Sequence, residues 1–460
     1  MIQIDTTRRR LLAALVLLQA ILIYVRVRKS SLFSDDFLNF EIFKEQGFTI
    51  SYLFRDVFGQ VAPGYRLAQG VVLDLFGASY LATATIIAAL SITSTLLVAG
   101  IASRLGAKNW AIGAGLLVFI GLPQFAQTQQ WWAAAVHTIF SLTSILACTY
   151  SLAGKSKRRV LIASVWYAVA LCFTAKVVCS PVIFAAVVFY REMLEDENGG
   201  RALRTTAIEL VPIAMLTALY LAGLSLLGPH LGNPHPTPSV LGQYLWDHLS
   251  SGVVAGALGA DSWGLDLPRW IPLLALIVFA VATSIRKKNV VWLWLATLTY
   301  IIASGAIIAW NRAGLIPDAG ATLRYGVEGA SFTVLTAIVA GSAPSVRRGA
   351  KLASVVFGLL VLVNVQAHLR SHVLITYPIR ETRTYLGHLK SSVKELEGRS
   401  DVVVLEGTLP DFVMPSWMMP FGTVSRFLPL YSKLPVGDAA HATHELGTDG
   451  VVRPRLAQAP

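Results

Sequence analysis

The sequence predicts an all-α polytopic membrane protein, and three observations carry that prediction. Hydrophobic residues fill 55% of the 460 positions and charged residues only 14%, with a mean hydropathy of +0.60, which is too apolar for a soluble chain of this length. The apolar residues gather into about eleven segments of near-spanning length. The basic residues fall in short clusters between alternate segments, the positive-inside pattern. That pattern accounts for the net charge of +12 and makes a nucleic-acid partner unnecessary.

In chain order the segments are Leu11 to Val25, Tyr80 to Ala102, Trp110 to Leu122, Ala133 to Ala153, Val160 to Thr174, Val177 to Tyr190, Ala207 to Leu227, Ile271 to Ile285, Val290 to Ala309, Val327 to Ala343 and Leu352 to Ala367. Threaded as eleven spans, they put six basic clusters on one face: Arg8 to Arg10; Arg104 with Lys108; Lys155 to Arg159; Arg191, Arg201 and Arg204; Arg286 to Lys288; and Arg347 to Lys351. The amino terminus is then cytoplasmic and the carboxyl terminus extracytoplasmic, as expected of a multi-pass protein of a bacterial plasma membrane. Arg26, Arg28 and Lys29 dissent, at the outer end of the first segment, where long basic side chains can snorkel or meet lipid phosphates. Both flanks of Val160 to Tyr190 are basic, so that stretch reads as two crossings turning near Lys176. The basic opening resembles a signal peptide without a small-residue cleavage site and reads as an uncleaved anchor. Cys148, Cys172 and Cys179 all lie in apolar segments, leaving no thiol for a disulfide or metal in the outer loops.

The expected organisation is a transmembrane bundle over 1–368, carrying outer loops 30–79 and 229–270, and a small α/β extracytoplasmic tail over 369–460, disordered from about His441. Residues spent on one face imply that chemistry or binding happens there. In the first outer loop, Phe33, Phe37, Phe40 and Phe43 recur at helical spacing, a stripe suited to lying in the interface, with Gly47 as a stop. A second amphipathic helix is expected from Pro63 to about Phe76, ended by Gly77. A helix over Tyr377 to Leu396 and a short strand over Asp401 to Leu405 are expected in the tail.

Candidate functional residues gather near the outer ends of the spans. Asp35 and Asp36 open the first loop, where a carboxylate can serve as a general base or cap a helix. Arg66, Lys176, Arg312 and Arg324 could meet phosphate oxygens, arginine bidentately. Arg312 and Arg324 stand out because the positive-inside rule disfavours basic residues on this face. Tyr325 and Trp131 offer aromatic faces, although Trp131 and Trp132 also suit an interfacial belt. Lys176 could instead mark a turn, and Glu328 could complement a helix dipole. His137, inside an apolar segment, reads as a buried, hydrogen-bonded histidine. His230, His235, Asp247 and His248 lack metal-ligand spacing, so no metal is expected. No phosphate-binding loop or dinucleotide fingerprint occurs, and no cofactor is expected.

Ser34-Asp35-Asp36-Phe37, the amphipathic helices after it, Ala62-Pro63-Gly64-Tyr65-Arg66 and the outer tail together resemble the GT-C class of polytopic glycosyltransferases. Where many members carry His or Trp before the proline of this loop, this chain has Gln60, Val61 and Ala62. The resemblance implies a membrane enzyme that moves a sugar from a lipid-linked, polyprenyl-phosphate donor to a glycan, lipid or protein acceptor outside the membrane. It implies Asp36 as the base, with Asp35 as its neighbour or substitute, and phosphate stabilisation by Arg312, Arg324 or Lys176. A transporter or flippase would need ionisable residues at mid-membrane depth, of which the chain offers few beyond His137. A non-catalytic scaffold for envelope assembly is the third reading, and neither alternative explains the acidic first loop.

Overall fold

The structure, a computed structural model, describes residues 6–57, 60–196, 198–227, 235–255, 268–314, 320–342, 354–356, 358–359, 379–419 and 421–455. Ten of the eleven apolar segments coincide with helices. Most of the eleventh, Leu352 to Ala367, lies outside the described residues, and so does His230.

Helix α1 (Thr6–Val27) packs on a later span, α5 (Tyr80–Arg104), partly through Arg8, which donates to the Ser103 hydroxyl and the Ala99 carbonyl. Between them residues 30–79 build α2 (Asp35–Gln46), the single turn α3 (Ile50–Leu53), the antiparallel pair β1 (Asp56–Val57) and β2 (Gln60–Val61), and α4 (Pro63–Phe76). Gly47 and Gly77 end α2 and α4 in the left-handed region, at φ +60 and +64, where a side chain would be strained. Both stops fall where the sequence places them.

Next come α6 (Asn109–Gly121) and α7 (Gln124–Gln130), bent by 53° at Leu122 and Pro123. Proline lacks the N–H that would continue the ladder. Then follow α8 (Trp132–Leu152), α9 (Arg159–Leu171), a 3-10 turn over Ala175–Cys179, α10 (Pro181–Glu195), α11 (Gly199–Leu227) and α12 (Pro238–Asp247). A π-helical segment, His248–Ala255, continues α12 and precedes α13 (Trp270–Arg286), α14 (Val290–Arg312), a 3-10 turn over Leu323–Gly326 and α15 (Val327–Gly341). The expected break near Lys176 falls between α9 and the turn that carries Lys176.

Among the described residues, six helices are long and apolar enough to cross a membrane, and a seventh if the bent α6–α7 pair is one span. Eleven crossings would also require shorter apolar helices such as α9 and α13 to span.

The tail forms α16 (Ile379–Leu396) and a four-stranded sheet of β3 (Val404–Leu405), β4 (Val436–Gly437), β5 (His444–Leu446) and β6 (Val452–Pro454), in the order β4-β3-β5-β6. Within the described residues 441–455, where disorder is expected, the chain carries β5 and β6. β5 pairs in parallel with β3 and antiparallel with β6, and Leu446 and Val452 pack on the core cluster, so main-chain pairing and two apolar side chains hold this polar stretch.

The first loop also corrects an expectation. Phe33, Phe37, Phe40 and Phe43 do not face lipid: all four are buried, with Phe37 packed edge-on against Phe427 of the tail at 5.0 Å. The tail covers α2, so one core cluster joins α2, the start of α8, α16 and the sheet. It is α4 that turns apolar residues outward. Leu67 and Leu75 are 48% and 65% exposed while Arg66 and Gln69 are buried, an arrangement that suits a helix with lipid outside and polar partners within.

Candidate active site

The two carboxylates at the head of α2 have different surroundings. Adjacent residues on a helix point about 100° apart, so both cannot face one site. Asp36 is fully buried, and its oxygens accept the Phe33 N–H at 2.9 Å and the Ala133 N–H at 2.7 Å. It clamps the start of α2 to the start of α8 and is not among the residues lining the cavity beside it. Asp35 does line that cavity. Burial pushes its carboxyl up to about 6, against the pull of Arg324, Arg312 and the Ser34 hydroxyl. Ser34, which precedes the pair, has φ +47, the only positive φ on a described residue other than glycine. This strained turn sets the direction in which α2 starts.

The cavity lies where α2, β2, α4, α8, the Lys176 turn, α14 and the Leu323–Gly326 turn meet. Lys176, Arg312 and Arg324 bring three cations to it. Arg312 is the last residue of α14. Arg324 lays its guanidinium over the Trp131 ring at 4.6 Å and the Tyr325 ring at 5.1 Å, a cation–π arrangement that fixes its direction. Burial opposes ionisation of Tyr325, yet Arg324, Arg312 and Lys176 together hold its hydroxyl below the ordinary phenol range. Lys176 donates to Glu328 at 2.7 Å, and Glu328 also accepts from the Ser141 hydroxyl at 3.1 Å.

Seven expected site residues therefore converge on the cavity or directly behind it. Asp35, Lys176, Arg312, Arg324, Tyr325 and Trp131 line it, and Glu328 stands behind Lys176. Arg66 and Asp36 do not line it. Arg66 donates to Asn39 Oδ1 at 2.8 Å and to the Asp56 carbonyl at 3.2 Å and lies over the Tyr52 ring, so its charge is used in joining α2, α4 and β1. His235 packs on Trp310 at 4.9 Å and is absent from the lining.

Several lining residues were not chosen from sequence: Gln60, Tyr65, Thr138, Thr174 and Asn311, together with His137. Gln60 and Tyr65 belong to the loop stretch that carried the resemblance, which was the available signal. His137 is hydrogen-bonded, as expected, to the Phe173 carbonyl at 3.0 Å, yet it also borders the cavity. Nothing in an apolar helix pattern distinguishes those two situations. No group of three or more His, Cys, Asp or Glu side chains suited to a metal occurs among the described residues.

No family model and no curated protein matches the chain. A solved structure does: the crystal structure of ArnT from Cupriavidus metallidurans bound to undecaprenyl phosphate, with a TM-score of 0.52 over 95% of this chain and 87% of that one. The fold is similar to that of ArnT. Identity is 12%, so the likeness is one of architecture alone.

Proposed function

We propose that the protein is a membrane glycosyltransferase that moves a sugar from a polyprenyl-phosphate donor to an extracytoplasmic acceptor, with Asp35 as general base. The observation that carries this reading is one cavity in which, among the described residues, Asp35 is the lining carboxylate and Lys176, Arg312 and Arg324 are the lining cations. Asp35 removes the proton of an acceptor hydroxyl, and the hydroxyl oxygen bonds to the anomeric carbon. The bond from that carbon to the phosphate oxygen breaks, and the electron pair leaves with the polyprenyl phosphate. The three cations stabilise the charge that grows on that phosphate. A carboxyl near 6 is mostly ionised at neutral pH and still basic enough to take a proton in the transition state. Asp36, the base implied by resemblance, serves in this reading as the clamp that aims Asp35.

The ArnT structure, bound to undecaprenyl phosphate, supports a carrier of that chemistry. The basic clusters support a cytoplasmic amino terminus, with the cavity on the outer side of a bacterial plasma membrane. The test is direct binding of undecaprenyl phosphate to the purified chain in nanodiscs. Saturable binding that weakens in Arg312→Ala and Arg324→Ala is expected, and absence of binding removes the donor from the reading.

A further inference from the structure

We infer that Gln60 and His137 form a glycosyl subsite in this cavity that takes a neutral sugar, with His137 Nε2 accepting from one sugar hydroxyl and Gln60 Nε2 donating to the ring substituents beside it. The inference rests on the donor reading above and gives it a substrate class.

The hydrogen bonds dictate what each side chain offers. The Phe173 carbonyl 3.0 Å from His137 Nδ1 can only accept, so Nδ1 carries the proton and Nε2 is an acceptor. Tyr65 stacks on the imidazole with centroids 4.0 Å apart and planes 15° apart, which holds the ring in this orientation. Gln60 Oε1 accepts from the Ala175 N–H at 3.2 Å and the Thr174 hydroxyl at 3.3 Å. That fixes the amide so that Nε2 is the opposite end. Gln60 Nε2 lies 3.5 Å from His137 Nδ1, but Nδ1 is already a donor and cannot accept. The amide hydrogens of Gln60 are left to a ligand. Gln60 and His137 line one cavity, with the amide nitrogen 3.5 Å from the imidazole, and an acceptor and a donor on one wall complement a hydroxyl, which offers both.

The charges argue for a neutral ring. Gln60, Tyr65 and His137 bring no fixed charge to their part of the wall, and the adjacent cation, Lys176, is already paired with Glu328 at 2.7 Å. A sugar carboxylate held at this pair can only accept, so it has no hydrogen to give His137 Nε2. A sugar ammonium would stand in the field of Lys176, Arg312 and Arg324, which among the described lining residues outnumber Asp35.

The test is competition against radiolabelled undecaprenyl phosphate on the purified full chain in nanodiscs. The competitors are undecaprenyl phosphate carrying glucose, galactose, mannose, glucosamine or glucuronate. At least one neutral carrier should bind about 3- to 10-fold more tightly than undecaprenyl phosphate itself, the scale of one or two net hydrogen bonds, and neither charged carrier should gain. His137→Phe keeps the stack on Tyr65 and should abolish the gain while leaving undecaprenyl phosphate bound as before. If His137→Phe does not fold, Gln60→Glu decides, because it keeps the oxygen that holds Ala175 and Thr174 and removes the donor end. A gain for glucosamine or glucuronate, no gain for any neutral sugar, or a gain that survives in the variant that folds overturns the subsite. Failure of undecaprenyl phosphate itself to bind overturns instead the donor reading beneath it.

Discussion

Replacing Asp35 by Asn removes a charge that the fold tolerates at a cost, so its stability effect has a definite sign. The carboxyl is pushed from 3.8 up to about 6 by burial, net of two arginines, and each unit is worth about 1.4 kcal/mol. That gives about 3 kcal/mol, which screening by solvent in the open cavity reduces to roughly 1–3 kcal/mol. Between about pH 4 and 6 the folded state binds more protons than the unfolded one, so stability falls as pH rises through that window and is flat above it. Asp35→Asn should lack this fall and be as stable as wild type, or more so, at pH 7. Asp36→Asn should behave oppositely, because its amide presents hydrogens to one of two backbone N–H donors and leaves a buried polar group unpaired, at about 1–3 kcal/mol. The assay is thermal unfolding in detergent from pH 4 to 8 for both variants, with sugar transfer measured on the same preparations. Transfer should fall roughly 10²- to 10⁴-fold in Asp35→Asn. Equal destabilisation of the two variants at every pH, or full transfer by Asp35→Asn, would refute the assignment.

Three further outcomes follow from the same geometry. Arg324→Ala should weaken undecaprenyl phosphate binding by about 1.5–3 kcal/mol, whereas Arg66→Ala should lower thermal stability and leave binding nearly unchanged; the reverse order would exchange their roles. Glu328→Ala should cost about 3–5 kcal/mol of stability by stranding the buried Lys176 ammonium, and Glu328→Gln less, with equal midpoints for the two variants counting against the pair. Cysteine labelling from outside should reach substitutions at Ser239 and Ser400 and not at Ser156 or Asn289, since the basic clusters assign the last two to the cytoplasm; outside labelling of Ser156 would invert the threading.

Much of the helical frame was legible because hydropathy is local. Ten apolar segments coincide with helices, and Gly47, Pro63 and Gly77 mark helix ends through their own backbone preferences. The polar residues of the outer ends were also legible as a group, since Lys176, Arg312, Arg324 and Tyr325 are unusual there whatever their partners. What each does was decided by approach from distant chain. Ala133 brings its N–H to Asp36 and so gives the cavity to Asp35; no rule of spacing separates two adjacent aspartates. The tail, more than 300 residues away in sequence, buries the phenylalanine stripe that by itself suits lipid. Asn39 and the Asp56 carbonyl take Arg66, and the Phe173 carbonyl fixes the tautomer of His137. Local composition thus determined which segments are helical and which residues could carry chemistry. Only long-range contact determined which of them face the cavity, because an isolated sequence does not show which backbone group will satisfy a buried polar side chain.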